Sequence, residues 1–185
     1  MKMSGEEVIA APREAVWKAL NDTDVLKKCI PGCETITRHS PTKMEARVVI
    51  KVGPVKAGFT GVVSLTDMDP PNGYRISGEG KGGLAGFATG GADVRLETVP
   101  EGTKLSYDVD AQVGGKLAML GSRLIDSTAR SLAEQFFEKF ATAATAMGSA
   151  TVTKTPKRAA KKLAKKPLKK PVAKKPAKKM AKKKL

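Results

Sequence analysis

The apolar residues of this chain switch period from 3.6 to 2 and back, leaving one long helix with one sheet to cover. Met44, Ala46, Val48, Ile50 and Val52 alternate with Lys43, Glu45, Arg47, Val49 and Lys51, the pattern of a strand with one buried face. Val55, Ala57, Phe59, Gly61, Val63 and Leu65 continue it after a turn at Gly53-Pro54. Asp69-Pro70-Pro71-Asn72-Gly73 turns the chain again, into Tyr74, Ile76, Gly78 and Gly80. Ala88, Gly90, Ala92, Val94 and Leu96 make the next strand, closed by Pro100-Glu101-Gly102, and Leu105, Tyr107, Val109, Ala111 and Val113 the last. Strands joined in sequence by tight turns predict an antiparallel meander. From Lys116 to about Met147, Leu117, Leu120, Leu124, Thr128, Leu132, Phe136 and Phe140 then fall on one helical face, widened by Ile125 and Phe137. A helix of about thirty residues is roughly 45 Å long, and the sheet is the one surface broad enough to receive it.

Ahead of the meander, Ser4 to Ala10 reads as a strand. Pro12 opens a helix with Val16, Trp17 and Leu20 on its apolar face. Asn21-Asp22-Thr23-Asp24 is capping chemistry for a second short helix through Val25, Leu26 and Cys29, which Pro31-Gly32 stops. The order is therefore strand, two short helices, about six strands and one long helix. That predicts an α+β fold with a bent antiparallel sheet wrapped on the C-terminal helix.

All of the net charge lies beyond this domain. Of 34 basic residues, 16 lie in 154–185, where there is no acidic residue; the other 18 balance all 18 acidic ones. The expected division is a domain over residues 1–147 and a disordered Lys/Pro/Ala-rich tail over 148–185. Pro156, Pro167, Pro171 and Pro176 forbid a continuous helix there, and like charges keep such a segment extended. The lysine pairs Lys161-Lys162, Lys165-Lys166, Lys169-Lys170, Lys174-Lys175 and Lys178-Lys179 are candidates for contact with an anionic membrane or another polyanion. The tail holds one arginine, Arg158, and no aromatic residue, which argues against reading of bases. Nucleic acid, held by its phosphates alone, is the second choice of partner.

Enzyme chemistry is hard to populate. His39 is the sole histidine and sits in a polar stretch, Thr37 to Pro41, that reads as a strand end or turn. Asp108 and Asp110 share a face opposite Tyr107, Val109 and Ala111, which is the solvent side. Cys29 and Cys33 with His39 offer a metal too few ligands, so no metal site and no catalytic residue is assigned. No run of about 18 apolar residues spans a membrane, and the N-terminus lacks a secretion signal. The chain is expected in the cytoplasm.

Glycine crowds two adjacent strands and their connection, at 78, 80, 82, 83, 86, 90 and 91. It lets a sheet bend, and where it points inward it leaves volume unfilled. Gly78, Gly80 and Gly90 are assigned inward, beneath the long helix. Around them Met44, Val48, Phe59, Val63, Tyr74, Ile76, Tyr107, Leu120, Leu124, Phe136 and Phe140 form the candidate lining of an apolar ligand cavity. Tyr74 and Tyr107 stand out because a buried phenol needs a hydrogen-bond partner, from the backbone or from a ligand carbonyl.

Six short motifs carry a resemblance over residues 1–146. They are Ile30-Pro31-Gly32-Cys33-Glu34, Phe59-Thr60-Gly61, Gly86-Phe87-Ala88, Val113-Gly114-Gly115-Lys116-Leu117, Leu120-Gly121-Ser122-Arg123-Leu124-Ile125 and Phe136-Phe137. In this order the chain resembles the family of the carbon monoxide dehydrogenase G subunit, within the START/SRPBCC helix-grip superfamily. The resemblance implies a non-enzymatic accessory protein of a molybdenum hydroxylase that recruits the enzyme to the membrane. It also implies an apolar ligand of quinone type in the cavity, with no covalent or metal cofactor. The expected location is cytoplasmic, peripheral to the inner face of the cell membrane. An enzyme of the same fold acting on a hydrophobic substrate, or a nucleic-acid-associated protein, are the alternatives. If the tail is a solvated polycation, deleting 154–185 will leave the domain's melting temperature nearly unchanged, which thermal denaturation by circular dichroism checks.

Overall fold

The computed structural model describes residues 1–152, and side chains through Ser149. Its order is β1 (Lys2–Ile9), α1 (Arg13–Leu20), α2 (Thr23–Cys29), β2 (Cys33–Ser40), β3 (Lys43–Val52), β4 (Val55–Asp69), β5 (Gly73–Lys81), β6 (Phe87–Val99), β7 (Gly102–Gly114) and α3 (Ser122–Val152). All seven strands join one sheet in the order β1-β7-β6-β5-β4-β3-β2, every pair antiparallel. The predicted meander is the run from β2 to β7. β1 pairs with β7, so α1 and α2 carry the chain from one edge of the sheet to the other, and both pack on α3.

Local chemistry sets the boundaries. Pro12 is the capping residue of α1 rather than its first helical residue, and its carbonyl accepts from the N–H groups of Ala15 and Val16. Asp22 caps α2, accepting from the backbone N–H groups of Asp24 at 2.9 Å and Val25 at 3.2 Å. The long helix begins later than its periodicity suggests. Residues 115–120 form a 3₁₀ turn, and Gly121, at φ 85°, breaks it from α3 in a conformation that L side chains resist.

A strand stands where the polar stretch read as a strand end or turn. Thr37, Arg38 and Ser40 of β2 pair with Glu45, Met44 and Lys43 of β3. His39 is exposed, 3.2 Å from the Glu45 carboxylate. The alternation is hidden because Arg38 takes an inward position at the edge. Its guanidinium donates to the carbonyls of Asn21 and Pro41 instead of packing.

The core gathers where α1 and the C-terminal half of α3 meet the sheet. Val16, Ala19, Phe140 and Ala144 are fully buried, with Ile9, Leu96 and Leu105 nearly so. Thr103 is fully buried and polar, and its hydroxyl donates to the Ala11 carbonyl at 2.7 Å. The outer face is charged. Lys104 lies between Glu6 and Glu97, tying three strands, and Arg75 pairs with Asp93. Such exposed pairs contribute at most about 1 kcal/mol each, so stability rests on the inner face. Phe140→Ala should therefore cost about 3–5 kcal/mol of unfolding free energy, measured by the shift in the urea midpoint.

Candidate ligand cavity

The inner face of the sheet is only partly filled. Where α3 carries Phe136, Phe137 and Phe140 it meets the sheet through rings. Phe136 stacks on Phe140 at 5.4 Å and meets Phe137 edge-on at 5.1 Å, and Phe137 stacks on Tyr107 of β7 at 5.1 Å. Nearer the helix N-terminus no aromatic ring faces the sheet, and the space between Ile125, Thr128, Ala129, Leu132 and the strands stays open.

The main cavity has a volume of about 440 Å³, within the ~300–1,000 Å³ typical of small-molecule sites. Every strand contributes: Met3 from β1, Ile36 from β2, Met44, Ala46, Val48 and Ile50 from β3, and Val63 and Leu65 from β4. Tyr74 and Ile76 come from β5, Ala92 and Val94 from β6, and Leu105, Tyr107 and Val109 from β7. Leu20, Leu26, Ile30 and Pro31 close it from the side of the short helices, and Leu132, Ala133, Phe136 and Phe137 roof it. A second compartment of about 240 Å³ adjoins it across Ile50 and Leu132, which line both. Phe59, Gly80, Ala88, Val113, Leu117 and Ile125 are among its walls.

The two phenols are the sole side chains of the main lining that carry nitrogen or oxygen. Tyr74 is 6 % exposed and meets Trp17 edge-on at 5.4 Å, and its hydroxyl makes no hydrogen bond among the described residues. Burial raises its pKa above the ordinary value, so the phenol stays protonated and a donor. The Tyr107 hydroxyl likewise makes no hydrogen bond among the described residues. Its pKa is raised, first by burial and then by Glu7 and Glu134, with Arg130 opposing. A Cβ on Gly5 would overlap the Tyr107 oxygen, so that glycine makes room for the phenol.

Of the expected lining, Met44, Val48, Val63, Tyr74, Ile76, Tyr107 and Phe136 meet in the main cavity, and Phe59 and Gly80 in the smaller one. Five residues fall outside both. Phe140 is spent in the core, and Leu120 lies on the 3₁₀ turn before α3. Leu124 packs over the β3–β4 turn, 2.7 Å from where a Cβ on Gly53 would stand. Gly90 allows a close strand approach instead of leaving space, since its Cβ would collide with the Asp110 carbonyl. Gly78 is similar, with the Val62 carbonyl 3.2 Å from its Cβ direction, whereas Gly80 faces open space. The residues that sequence reasoning missed were of two kinds. Ala46, Ile50 and Val109 share the alternation of residues already assigned, while Leu20, Leu26 and Ile30 enter through helix packing that no periodicity reveals.

Among the described residues no cluster of three or more His, Cys, Asp or Glu side chains is placed to hold a metal. Cys29 and Cys33 are free thiols with raised pKa values, chiefly through burial. No described helix is long and apolar enough to cross a membrane.

A long helix gripped by a curved seven-stranded antiparallel sheet over an apolar cavity is the helix-grip fold. The chain matches the profile of the carbon monoxide dehydrogenase G subunit (CoxG) over residues 5–145, and it belongs to that family. A conserved protein from Geobacillus kaustophilus is 30 % identical, with a TM-score of 0.73 over 78 % of this chain and 95 % of that one. A protein from Thermus thermophilus superposes with a TM-score of 0.60 at 17 % identity, over 79 % of this chain and 98 % of its own. The ZhuI aromatase/cyclase from Streptomyces sp. R1128 gives 0.54 at 15 %, over 78 % and 93 %, a likeness of fold alone. No functionally curated protein matches the chain significantly.

The contrast between two glycines tests the wall. Gly80→Leu should enter the smaller compartment and leave the melting temperature within about 2 °C, because nothing lies within 4 Å. Gly78→Leu, pressed against β4, should lower it by about 4 °C or more.

Proposed function

We propose that this protein is a non-enzymatic carrier of an apolar, carbonyl-bearing ligand, such as a membrane quinone, and an accessory of a molybdenum hydroxylase of the carbon monoxide dehydrogenase type. The observation that carries this reading is an apolar cavity whose polar side chains are two protonated phenols that make no hydrogen bond among the described residues. For an apolar ligand, displacing water from such a hydroxyl without pairing it costs about 1–3 kcal/mol, a cost that a ligand acceptor removes. A quinone offers two carbonyl oxygens and an otherwise apolar body, so it satisfies the phenols without bringing a charge into the cavity. Family membership supports the choice of partner enzyme.

The tail supplies the location in this reading. Its paired lysines lie outside the described residues. At roughly 1 kcal/mol per lysine near an anionic leaflet, half of them would hold the domain at the inner face of the cell membrane. Ligand and partner enzyme are then brought together at one surface.

Trp17, edge-on to Tyr74, is a built-in reporter for the test. Decylubiquinone titrated into the protein should quench Trp17 fluorescence saturably, and no ubiquinone-dependent turnover should appear in the protein alone. Tyr74→Phe should weaken that binding about 2- to 12-fold, the loss of one neutral hydrogen bond, without lowering thermal stability. Linear, unsaturable quenching in the parent would remove the carrier reading.

A further inference from the structure

The strands alternate in direction, so the β3–β4 turn, the β5–β6 loop and the β7–α3 linker all lie at one end of the sheet. The smaller compartment sits at that end, between Val52, Gly80, Ala88, Val113 and Leu117. The outside of the same end is apolar. Leu84 in the β5–β6 loop is 86 % exposed, Met119 in the linker 84 % and Phe87 at the start of β6 50 %. These are three of the five large hydrophobic residues exposed in the described chain, and the most exposed two among them.

The Phe87 ring lies over Gly114 on the outer face of the sheet, and the loop and the linker are held close at the tip. The loop and the linker touch backbone to backbone, where Gly86 lies against Gly114 and Gly115. A Cβ on Gly86 would collide with the Gly114 carbonyl, and its φ of 119° suits glycine alone. With the two backbones in contact, little space is left between them for Leu84 or Met119 to fold inward. Exposed Lys51, Lys56, Lys116 and Arg123 belong to the same end, and none makes an ion pair among the described residues. Exposed apolar side chains and unpaired cations at one end match an anionic lipid interface, with acyl chains below and phosphates above.

We propose that this tip is a bilayer-contact surface. Leu84 and Met119 enter an anionic membrane there, with Phe87 beside them on the outer face of the sheet, and bring that end of the smaller compartment against the acyl phase, so that an apolar ligand reaches the cavity without crossing water. This rests on the carrier reading and adds to it a place of entry, on the folded domain rather than on the tail. Each large side chain withdrawn from water strengthens partition roughly tenfold or more, and each nearby lysine roughly fivefold.

The test uses the full chain with Leu84, Phe87 and Met119 all changed to Ser. Two quantities are measured with decylubiquinone: equilibrium affinity from solution, by Trp17 quenching, and the rate of withdrawal from phosphatidylcholine/phosphatidylglycerol vesicles. The expected result is affinity within twofold of the parent and a withdrawal rate at least tenfold slower. Equal rates at equal affinity would overturn the proposal and leave the carrier reading intact. Absence of binding by the parent would overturn the carrier reading instead. Contact itself is read without ligand, from Leu84→Trp in the full chain and quenching by brominated lipid beyond what Trp17 gives in the parent. No added quenching, with an emission shift on adding the molybdenum hydroxylase, would assign the tip to a protein partner and overturn the proposal.

Discussion

One contact decides the rest of this molecule: the seating of α3 on the concave sheet, closest around Phe140 and Ala144. Phe140 and Ala144 are fully buried against Ile9, Val16 and Leu105, and the ring series from Phe140 through Phe136 and Phe137 reaches Tyr107 on β7. A rod laid on a curved surface cannot touch it along its whole length. Phe140 and Ala144 take up the contact, and the stretch from Ile125 to Phe137 spans a hollow. Fold stability and ligand space are thus divided along one helix. Phe140 and Ala144 hold the layers together, and side chains between Ile125 and Phe137 decide what fits between them.

The hollow has its own division of labour. Its apolar walls set a preference for greasy molecules with little direction. The phenols of Tyr74 and Tyr107 add direction, because each has one proton to give and, among the described residues, no acceptor to take it. Tyr74 is positioned by Trp17 and Tyr107 by the room over Gly5 and by Phe137. Neither depends on a mobile side chain for its place.

Most of this architecture was legible in the sequence because alternation and helical period report faces directly. Met44, Ala46, Val48 and Ile50 announced both a strand and its inner side. The signal failed where a residue served something other than face burial. Arg38 sits inward yet bonds to carbonyls, so β2 looked like a turn. Leu120 keeps the helical period, but Gly121 cuts it from the helix. Gly78 and Gly90 are on the inner side by parity, yet they serve strand contact rather than open volume, a distinction that composition does not encode. The roles of Leu20, Leu26 and Ile30 depend on how two short helices cross the sheet, which is a property of tertiary packing.

The sheet also sets an order of assembly. β1 is made first but finds its only partner in the last strand, with Lys2 opposite Asp110 and Ile9 opposite Thr103. At about 5–20 residues per second, β1 waits on the order of 5–20 s after leaving the ribosome before β7 emerges. It is the one strand that cannot zip onto its sequence neighbour, and closing so long a loop is slow. Its composition suits the wait: Lys2, Ser4, Glu6 and Glu7 leave Met3 and the pair Val8-Ile9 as its apolar residues, so the bare strand is a poor template for a second nascent chain. The charges on this edge protect the chain before it has a fold at all.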